Sequence, residues 1–292
     1  MQTITILNGK LLADSICSGL KLRTDKLKEA GIHPELLIIT SGDNDAGFVY
    51  VRNKIRRCKE IGIRPIVKRL PRLTDKDVVE NCAENKPVIF QMPICGKVEL
   101  SSLSRYIDPM CDVDGFVSAV NVATLASGEV PYHYPCTPKG IVRLLEANKV
   151  SLTGKAVCII GRSNIVGRPL ARMMERADAT VTLCHSKTSH CELYRYVGSS
   201  DIIVSATGHR NTLTFNAMEH YGESAHLGRQ IFIDVGMNRD EHGKLHGDID
   251  PLIYEYCNAY TPVPGGIGPM TVAMLMENVV EFYERGRAEL GC

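Results

Sequence analysis

Three things are missing from this 292-residue sequence. No stretch approaches the run of roughly 18 consecutive apolar residues that crosses a membrane. Neither sign of charge is in surplus: 34 Lys and Arg stand against 33 Asp and Glu, a net charge of +1. That balance gives no support to an electrostatic nucleic-acid binder and speaks against a disordered or acidic-tail chain. No CxxC pair occurs among the 11 cysteines, which run from Cys17 to Cys292. Scattered and odd in number, they read as reduced core thiols rather than as a disulfide framework or a zinc site. The opening MQTITILNGKLLADS also lacks the charged start, long apolar run and cleavage site of a signal peptide, so residence in the cytoplasm is expected.

What is present is an ordinary globular composition, 44% hydrophobic and 23% charged, in a chain long enough for roughly two domains. Short apolar runs alternate with helical patterns, which predicts an α/β fold. In the first half the pattern predicts helices over 11–30, 47–61 and 74–85. It predicts strands over Leu36–Thr40 and Val88–Met92, with an extended edge segment over Ile63–Arg69 marked by Pro65. In the second half, Thr137-Pro138 reads as an N-cap followed by proline at the first helical position, opening a helix to about Asn148. Strands follow at Ala156–Ile160, Thr180–Cys184, Asp201–Ser205 and Ile231–Val235, with helices near 166–177 and 190–197. This spacing predicts a parallel sheet with crossover helices. The domain boundary is placed before the Thr137-Pro138 helix start.

The turn after Ala156–Ile160 reads Gly161-Arg162-Ser163-Asn164-Ile165-Val166-Gly167. It sits where a Rossmann-type fold places its phosphate turn, although Ser163 replaces the middle glycine. A purely structural strand–helix turn remains the alternative. The next strand runs into Cys184-His185-Ser186-Lys187-Thr188, with no acid to bind a ribose 2′-hydroxyl. Ser186, Lys187 and Arg162 instead suit a 2′-phosphate, which favours NADP over NAD. A solvated Ser-Lys loop is the plainer reading.

In the first half Tyr50 and Lys54 lie four residues apart on one helix face. They offer a seat for a flat heterocycle beside a proton-transfer group, or merely a lysine covering a tyrosine. Arg52, Arg56, Arg57 and Lys59 make that helix basic, mostly for solvation, with one of them available to an anionic substrate tail. Gln91 closes an apolar strand, where an unpaired buried amide costs about 1–3 kcal/mol, so it needs a partner of either structural or functional kind. Asp112-Val113-Asp114-Gly115-Phe116 is a turn-like acidic loop whose plain reading is an Asx turn. Thr261-Pro-Val-Pro-Gly-Gly-Ile-Gly-Pro-Met-Thr271 is stiff yet permits close backbone approach. It opens an apolar helix from about Met270, and its N–H groups suit an anion or carbonyl.

Taken together, YVRNK at 50–54, DVDGF at 112–116, PCTPKG at 135–140, GRSNIVGRP at 161–169, CHSKT at 184–188 and TPVPGGIGPMTVAMLMEN at 261–278 closely resemble the bifunctional methylenetetrahydrofolate dehydrogenase/methenyltetrahydrofolate cyclohydrolase family. The resemblance covers nearly the whole chain. It implies an N-terminal folate-binding and catalytic α/β domain, residues 1–136 completed by a C-terminal helix at 270–292. It also implies a Rossmann-type NADP-binding domain at 137–269, with a cleft between the two for both ligands. Lys54 is then the catalytic lysine, Tyr50 stacks on the folate, Gln91 holds Lys54, and Asp114 hydrogen-bonds the pterin edge. Phe90 and Met92, with Pro264, Gly265, Gly266, Ile267 and Gly268, are implied to lie beside the folate. Gly161, Arg162, Ser163, Ser186 and Met237 are implied to contact NADP.

The implied activity is oxidation of 5,10-methylenetetrahydrofolate with NADP and hydrolysis of the product to 10-formyltetrahydrofolate. This is one-carbon metabolism serving purine biosynthesis, carried out by a cytoplasmic homodimer that needs no metal, nucleic acid or membrane. The chain departs from the family pattern at Ala46-Gly47, in the shortened 84–87 segment, at Met92-Pro93-Ile94-Cys95, and at Cys111 and Ala123. These bear on pocket shape and substrate affinity rather than reaction type. Alternatives are a dehydrogenase-only member, a different NADP dehydrogenase acting on a small hydroxy acid, and a non-catalytic folate or nucleotide module. The second would not need the Pro-Gly-Gly segment, and the third would not need Lys54, Gln91 and Asp114 together.

Overall fold

The computed structural model describes residues 4–42, 45–82, 84–221 and 224–289, without the side chains of 45–49, 100–101, 224–226 and 287–289. The side chain of Ala46 and the whole of Cys292, both named above, fall outside that description. The chain divides into two units, one of residues 13–136 and 272–292, the other of residues 1–12 and 137–271. Residues 1–12, expected with the N-terminal domain, therefore belong to the second unit. The cause is a two-residue strand, Thr5–Ile6, that pairs in parallel with Ala259–Tyr260. Among the described residues no helix is long and apolar enough to cross a membrane. The cysteines among them are free thiols, mostly buried.

The first unit is built on a three-stranded parallel sheet with Glu35–Ser41 in the centre, Arg64–Leu70 on one side and Val88–Phe90 on the other. Leu36, Leu37, Ile38 and Ile39 are all buried, because a central parallel strand is covered on both faces and cannot alternate with polar residues. Pro65 is tolerated in Arg64–Leu70 because that strand is an edge. The helix Asp45–Ile61 crosses from the central strand to the edge and stops at Gly62, whose φ of 86° is cheap only for glycine. The helix Asp75–Cys82 is opened by Thr74 and Asp77, each side chain accepting the other's backbone N–H. Leu37, Ile39, Val78, Val88, Phe90 and Leu103 form the core, with Phe282 of the last helix, Ile267–Glu289, against it.

The second unit carries a six-stranded sheet in the order Thr5–Ile6, Ala259–Tyr260, Ile231–Asp234, Ile202–Ser205, Ala156–Ile160, Thr180–Cys184. Every pairing is parallel. Ala156–Ile160 lies between Thr180–Cys184 and Ile202–Ser205, so the chain reverses its direction of travel across the sheet at this strand. Open α/β sheets bind ligands in the crevice at such a reversal, outside the carboxyl ends of the strands. The helix expected to begin at Pro138, capped by Thr137, starts two residues earlier, as Cys136–Ala147. Thr137 does not cap it. Its hydroxyl meets that of Thr271 at 3.0 Å instead.

Candidate active site

In the first unit, Asp45–Ile61 has a buried face of Val51, Cys58 and Ile61 and an exposed one including Arg52, Asn53 and Arg56. Tyr50 and Lys54 are half-buried between them. Lys54 Nζ donates to Gln91 Oε1 at 3.1 Å. Gln91 Nε2 donates to the Met92 carbonyl at 3.0 Å, and its backbone N–H extends the sheet to Ile39 O at 2.8 Å. The glutamine amide is thus paired at both ends, and its acceptor end is spent on the lysine. Of the basic residues nearby, Arg57 is taken up by Asp14 at 2.6 Å and Glu60 at 3.1 Å, and Arg56 lies 3.7 Å from Glu60.

The two acids of the 112–116 loop separate cleanly. Asp112 accepts from the backbone N–H groups of Gly115, Val117 and Ser118 at 3.1, 2.9 and 2.7 Å. This is the Asx-type turn expected of the loop, and burial pushes its carboxyl up to about 6 against those donors. Gly115 has φ of 76°, and a Cβ there would meet the Tyr134 carbonyl carbon at 2.6 Å. Asp114 is also buried but does not shape the turn. Burial raises its carboxyl above the ordinary range, opposed by the charge of Lys54 and a hydrogen bond from Cys136. Lys54, Gln91 and Asp114 therefore form one electrostatic group. Sequence reasoning missed what holds it: Asn278 of the last helix donates to Val113 O at 2.9 Å and Tyr134 O at 3.1 Å. The only signal was a lone Asn in the apolar run Met270–Val280.

Two of the expected folate neighbours sit on this unit with different fates. Met92 is half-buried, whereas the Phe90 ring is packed in the core with 2% exposure. Phe90, implied to lie beside the folate, has a core side chain, because it follows two buried residues in a strand covered on both faces. The Pro264–Gly268 stretch belongs to the second unit. There Lys10 N donates to Gly265 O at 2.8 Å, Gly266 N donates to Pro262 O at 2.7 Å, Pro264 is exposed, and Ile267 is buried. Gly268 lies against the Met237 thioether, 3.8 Å from where its Cβ would be.

The nucleotide turn of the second unit depends on two glycines. Gly161 has φ of 118°, and a Cβ there would come within 2.4 Å of Ala206 O. A Cβ on Gly167 would come within 1.9 Å of Gly161 O. The turn is so tight that backbone, not side chain, fills its inner wall, leaving a cradle suited to a phosphate-bearing nucleotide. Ser163 Oγ accepts from Val166 N at 3.1 Å, which accounts for a serine where the middle glycine was expected. Arg162, Ser163 and Ser186 are exposed, and Met237 is 39% exposed. His185 N bonds Thr188 Oγ1 at 3.0 Å and Thr188 N bonds His185 O at 2.8 Å, lifting Ser186 and Lys187 to the tip of a closed turn with no acid in it.

Two family models match this chain: tetrahydrofolate dehydrogenase/cyclohydrolase, catalytic domain, over residues 7–114, and the NAD(P)-binding domain of the same enzymes over residues 135–287. The chain belongs to the tetrahydrofolate dehydrogenase/cyclohydrolase family. It is 39% identical over 295 aligned residues to a Burkholderia mallei protein named bifunctional protein FolD, covering 98% of this chain and 99% of the relative. The Campylobacter jejuni FolD dehydrogenase/cyclohydrolase structure superposes with a TM-score of 0.90 at 36% identity, covering 97% and 100% of the two chains. A Trypanosoma brucei dehydrogenase-cyclohydrolase, solved with NADP cofactor and an inhibitor, gives 0.88 at 29% identity over 98% and 99%. The family resemblance read from the motifs is thereby shown, as is the α/β fold with a Rossmann-type second half. In this family member the sequence also left two buried acids of the nucleotide unit, Asp234 and Asp248, unread.

Proposed function

We infer that this protein oxidises 5,10-methylenetetrahydrofolate to 5,10-methenyltetrahydrofolate with NADP and hydrolyses that product to 10-formyltetrahydrofolate. The observation that carries the reading is the Lys54–Gln91 hydrogen bond beside buried Asp114, in a chain matched over its length by enzymes of these two activities. Gly161, Arg162, Ser163, Ser186 and Met237 are the residues proposed to hold NADP. Bound there, NADP would supply the acceptor for a hydride from the folate methylene carbon. Arg162 and Ser186 supply the cation and hydroxyl that a 2′-phosphate needs, and no carboxylate of the 184–188 turn repels it.

Tyr50 offers its ring face to the folate, and Asp114 accepts from the pterin N–H groups. No proton leaves the methylene carbon in the oxidation, so the protein's work in that step is alignment. Water then adds to the methenyl carbon. Lys54 takes a proton from that water and returns one to the ring nitrogen that departs, with one proton released to solvent overall. Gln91 keeps Nζ on station through both transfers, since its own amide is fixed at Met92.

Residence in the cytoplasm, assembly as a homodimer and delivery of the 10-formyl product to purine biosynthesis belong to the same proposal and rest on the family resemblance. Protein mixed with methylenetetrahydrofolate and NADP should raise NADPH absorbance, with a transient methenyl band that decays faster than in an enzyme-free blank. No NADPH would return the chain to the small-substrate dehydrogenase or binding-module alternatives.

A further inference from the structure

The crevice at the reversal of the second unit's sheet has two lips. One is the Gly161–Gly167 turn after Ala156–Ile160. The other is Ala206-Thr207-Gly208 after Ile202–Ser205, brought against the first because Gly161 has no side chain to hold Ala206 O away. The second lip is fastened from beneath by one buried side chain. Asp248 Oδ2 accepts from Thr207 N at 2.7 Å, Thr207 Oγ1 at 2.9 Å, Gly208 N at 3.2 Å and Ser205 Oγ at 3.2 Å. Its Oδ1 accepts from Asn238 Nδ2 at 2.9 Å, and Asn238 follows Met237. Asp248 is itself fixed by its backbone N–H, which donates to Asp234 Oδ1 at 2.9 Å.

These five side-chain bonds all come from neutral donors, and four converge on a single oxygen. A neutral amide cannot replace that carboxylate. Its oxygen accepts fewer bonds, and its NH2 would face either Asn238 or the Thr207 turn, donor against donor. The chain also keeps glycine where the acid needs room, since a Cβ on Gly236 would come within 2.2 Å of Asp248 Oδ1. A further consequence follows for the lip. With the Thr207 and Gly208 N–H groups turned onto Asp248, the carbonyls of the same trans peptides point the opposite way. Ala206 O is spent against Gly161 of the facing lip, and neither N–H group of this turn is left to suit a phosphate.

We propose that Asp248 is the positioning residue of the nucleotide crevice, setting the 206–208 turn directly and Met237 through Asn238, for the part of the cofactor common to NADP and NAD. The proposal rests on the NADP reading above. It is distinct from the role given to Arg162, which concerns the 2′-phosphate alone.

The test titrates NADP and NAD into the full-length parent, Asp248→Asn and Arg162→Ala proteins, with thermal melts and folate KM measured alongside. Asp248→Asn should weaken both nucleotides by about tenfold, the scale of one or two lost bonds to a charged group, with folate KM within about twofold of the parent. Arg162→Ala should weaken NADP selectively. Unchanged affinity in Asp248→Asn, whatever its melting temperature, would make Asp248 a structural acid and overturn the proposal. So would a loss confined to NADP, or an equal rise in folate KM. A parent that binds no NADP would instead refute the cofactor reading itself. Should Asp248→Asn fail to fold, Thr207→Val removes one donor from the same oxygen. It should weaken both nucleotides by about threefold, and an unchanged Thr207→Val protein overturns the proposal equally.

Discussion

Lys54 and Asp112 show how far one residue's surroundings decide its work. Lys54 donates to the Gln91 oxygen, sits half-buried and enters no ion pair among the described residues, so its amine is placed but not consumed. Lys54→Met keeps length and packing and removes only the base. The cyclohydrolase rate should fall by about 10² to 10⁴, the usual worth of general acid–base help, while the dehydrogenase keeps a larger fraction of its activity. Methenyltetrahydrofolate should then accumulate, which its absorbance during turnover reads directly. A Met variant that clears methenyltetrahydrofolate at the parent rate would return Lys54 to a helix surface.

Asp112, by contrast, is a buried acid with a shape-giving role, and its carboxyl lies near 6 instead of 3.8. A carboxyl raised on folding favours the protonated form in the folded state. Its contribution to stability is fully present below about 4 and is lost as pH rises toward 6. The lost amount is of order 1–3 kcal/mol and stays constant above that window. Denaturant melts across pH 4 to 6 should show this decline superposed on the other acids, and Asp112→Asn should flatten it. An identical pH slope in the variant would mean that the backbone donors already hold the carboxylate ionised. By residue type the two aspartates of DVDGF are alike, and in the sequence the family resemblance alone singles out Asp114. The fold supplies the physical difference: Asp112 spends its oxygens on Gly115, Val117 and Ser118, while Asp114 keeps company with Lys54.

Among the elements, legibility followed length and flanking. Ala156–Ile160 and Thr180–Cys184 were read to the residue, one as an apolar run and the other as a β-branched Thr-Val-Thr alternation, each bounded by polar turns. Thr5–Ile6 and Ala259–Tyr260 were not read at all, since two residues carry no period and exist as strands only by pairing with each other and with Ile231–Asp234. The helix at Cys136–Ala147 began one residue before its apparent cap, because the Thr137 hydroxyl is engaged elsewhere and Cys136 N already reaches Asp114 O at 3.3 Å. The phosphate turn was legible as glycines at a strand–helix junction. The reason each glycine is needed was not, since it lies in backbone approach across the sheet. Gly167→Ala tests that reason. With 1.9 Å available to a new Cβ, the helix start and the Gly161 carbonyl must separate. NADP affinity should drop by at least about tenfold and the melting temperature of the nucleotide unit should fall, the cost of overpacking being typically 1–3 kcal/mol. Unchanged binding and melting would show that the helix start can shift freely.

At the scale of the whole molecule, the chain passes between its two units at 12/13, 136/137 and 271/272. Length and alternation set the expectation of two domains with a boundary just before Thr137. They could not show the first crossing, because ownership of residues 1–12 is decided by the pairing of Thr5 and Ile6. The interleaving has a meaning for how the protein is made. A ribosome delivers residues in order, so the nucleotide unit has all its strands once residue 271 is out, while the other unit is still waiting for 272–289. Until those residues arrive, Val113 O and Tyr134 O have no Asn278 to bind them, and the loop that bears Asp114 is unsupported on that side. The acid beside Lys54 is thus among the last features to be set during synthesis. A nascent or truncated chain ending before Val272 would carry Lys54, Gln91 and Asp114 in its sequence without the strut that holds the third of them in place.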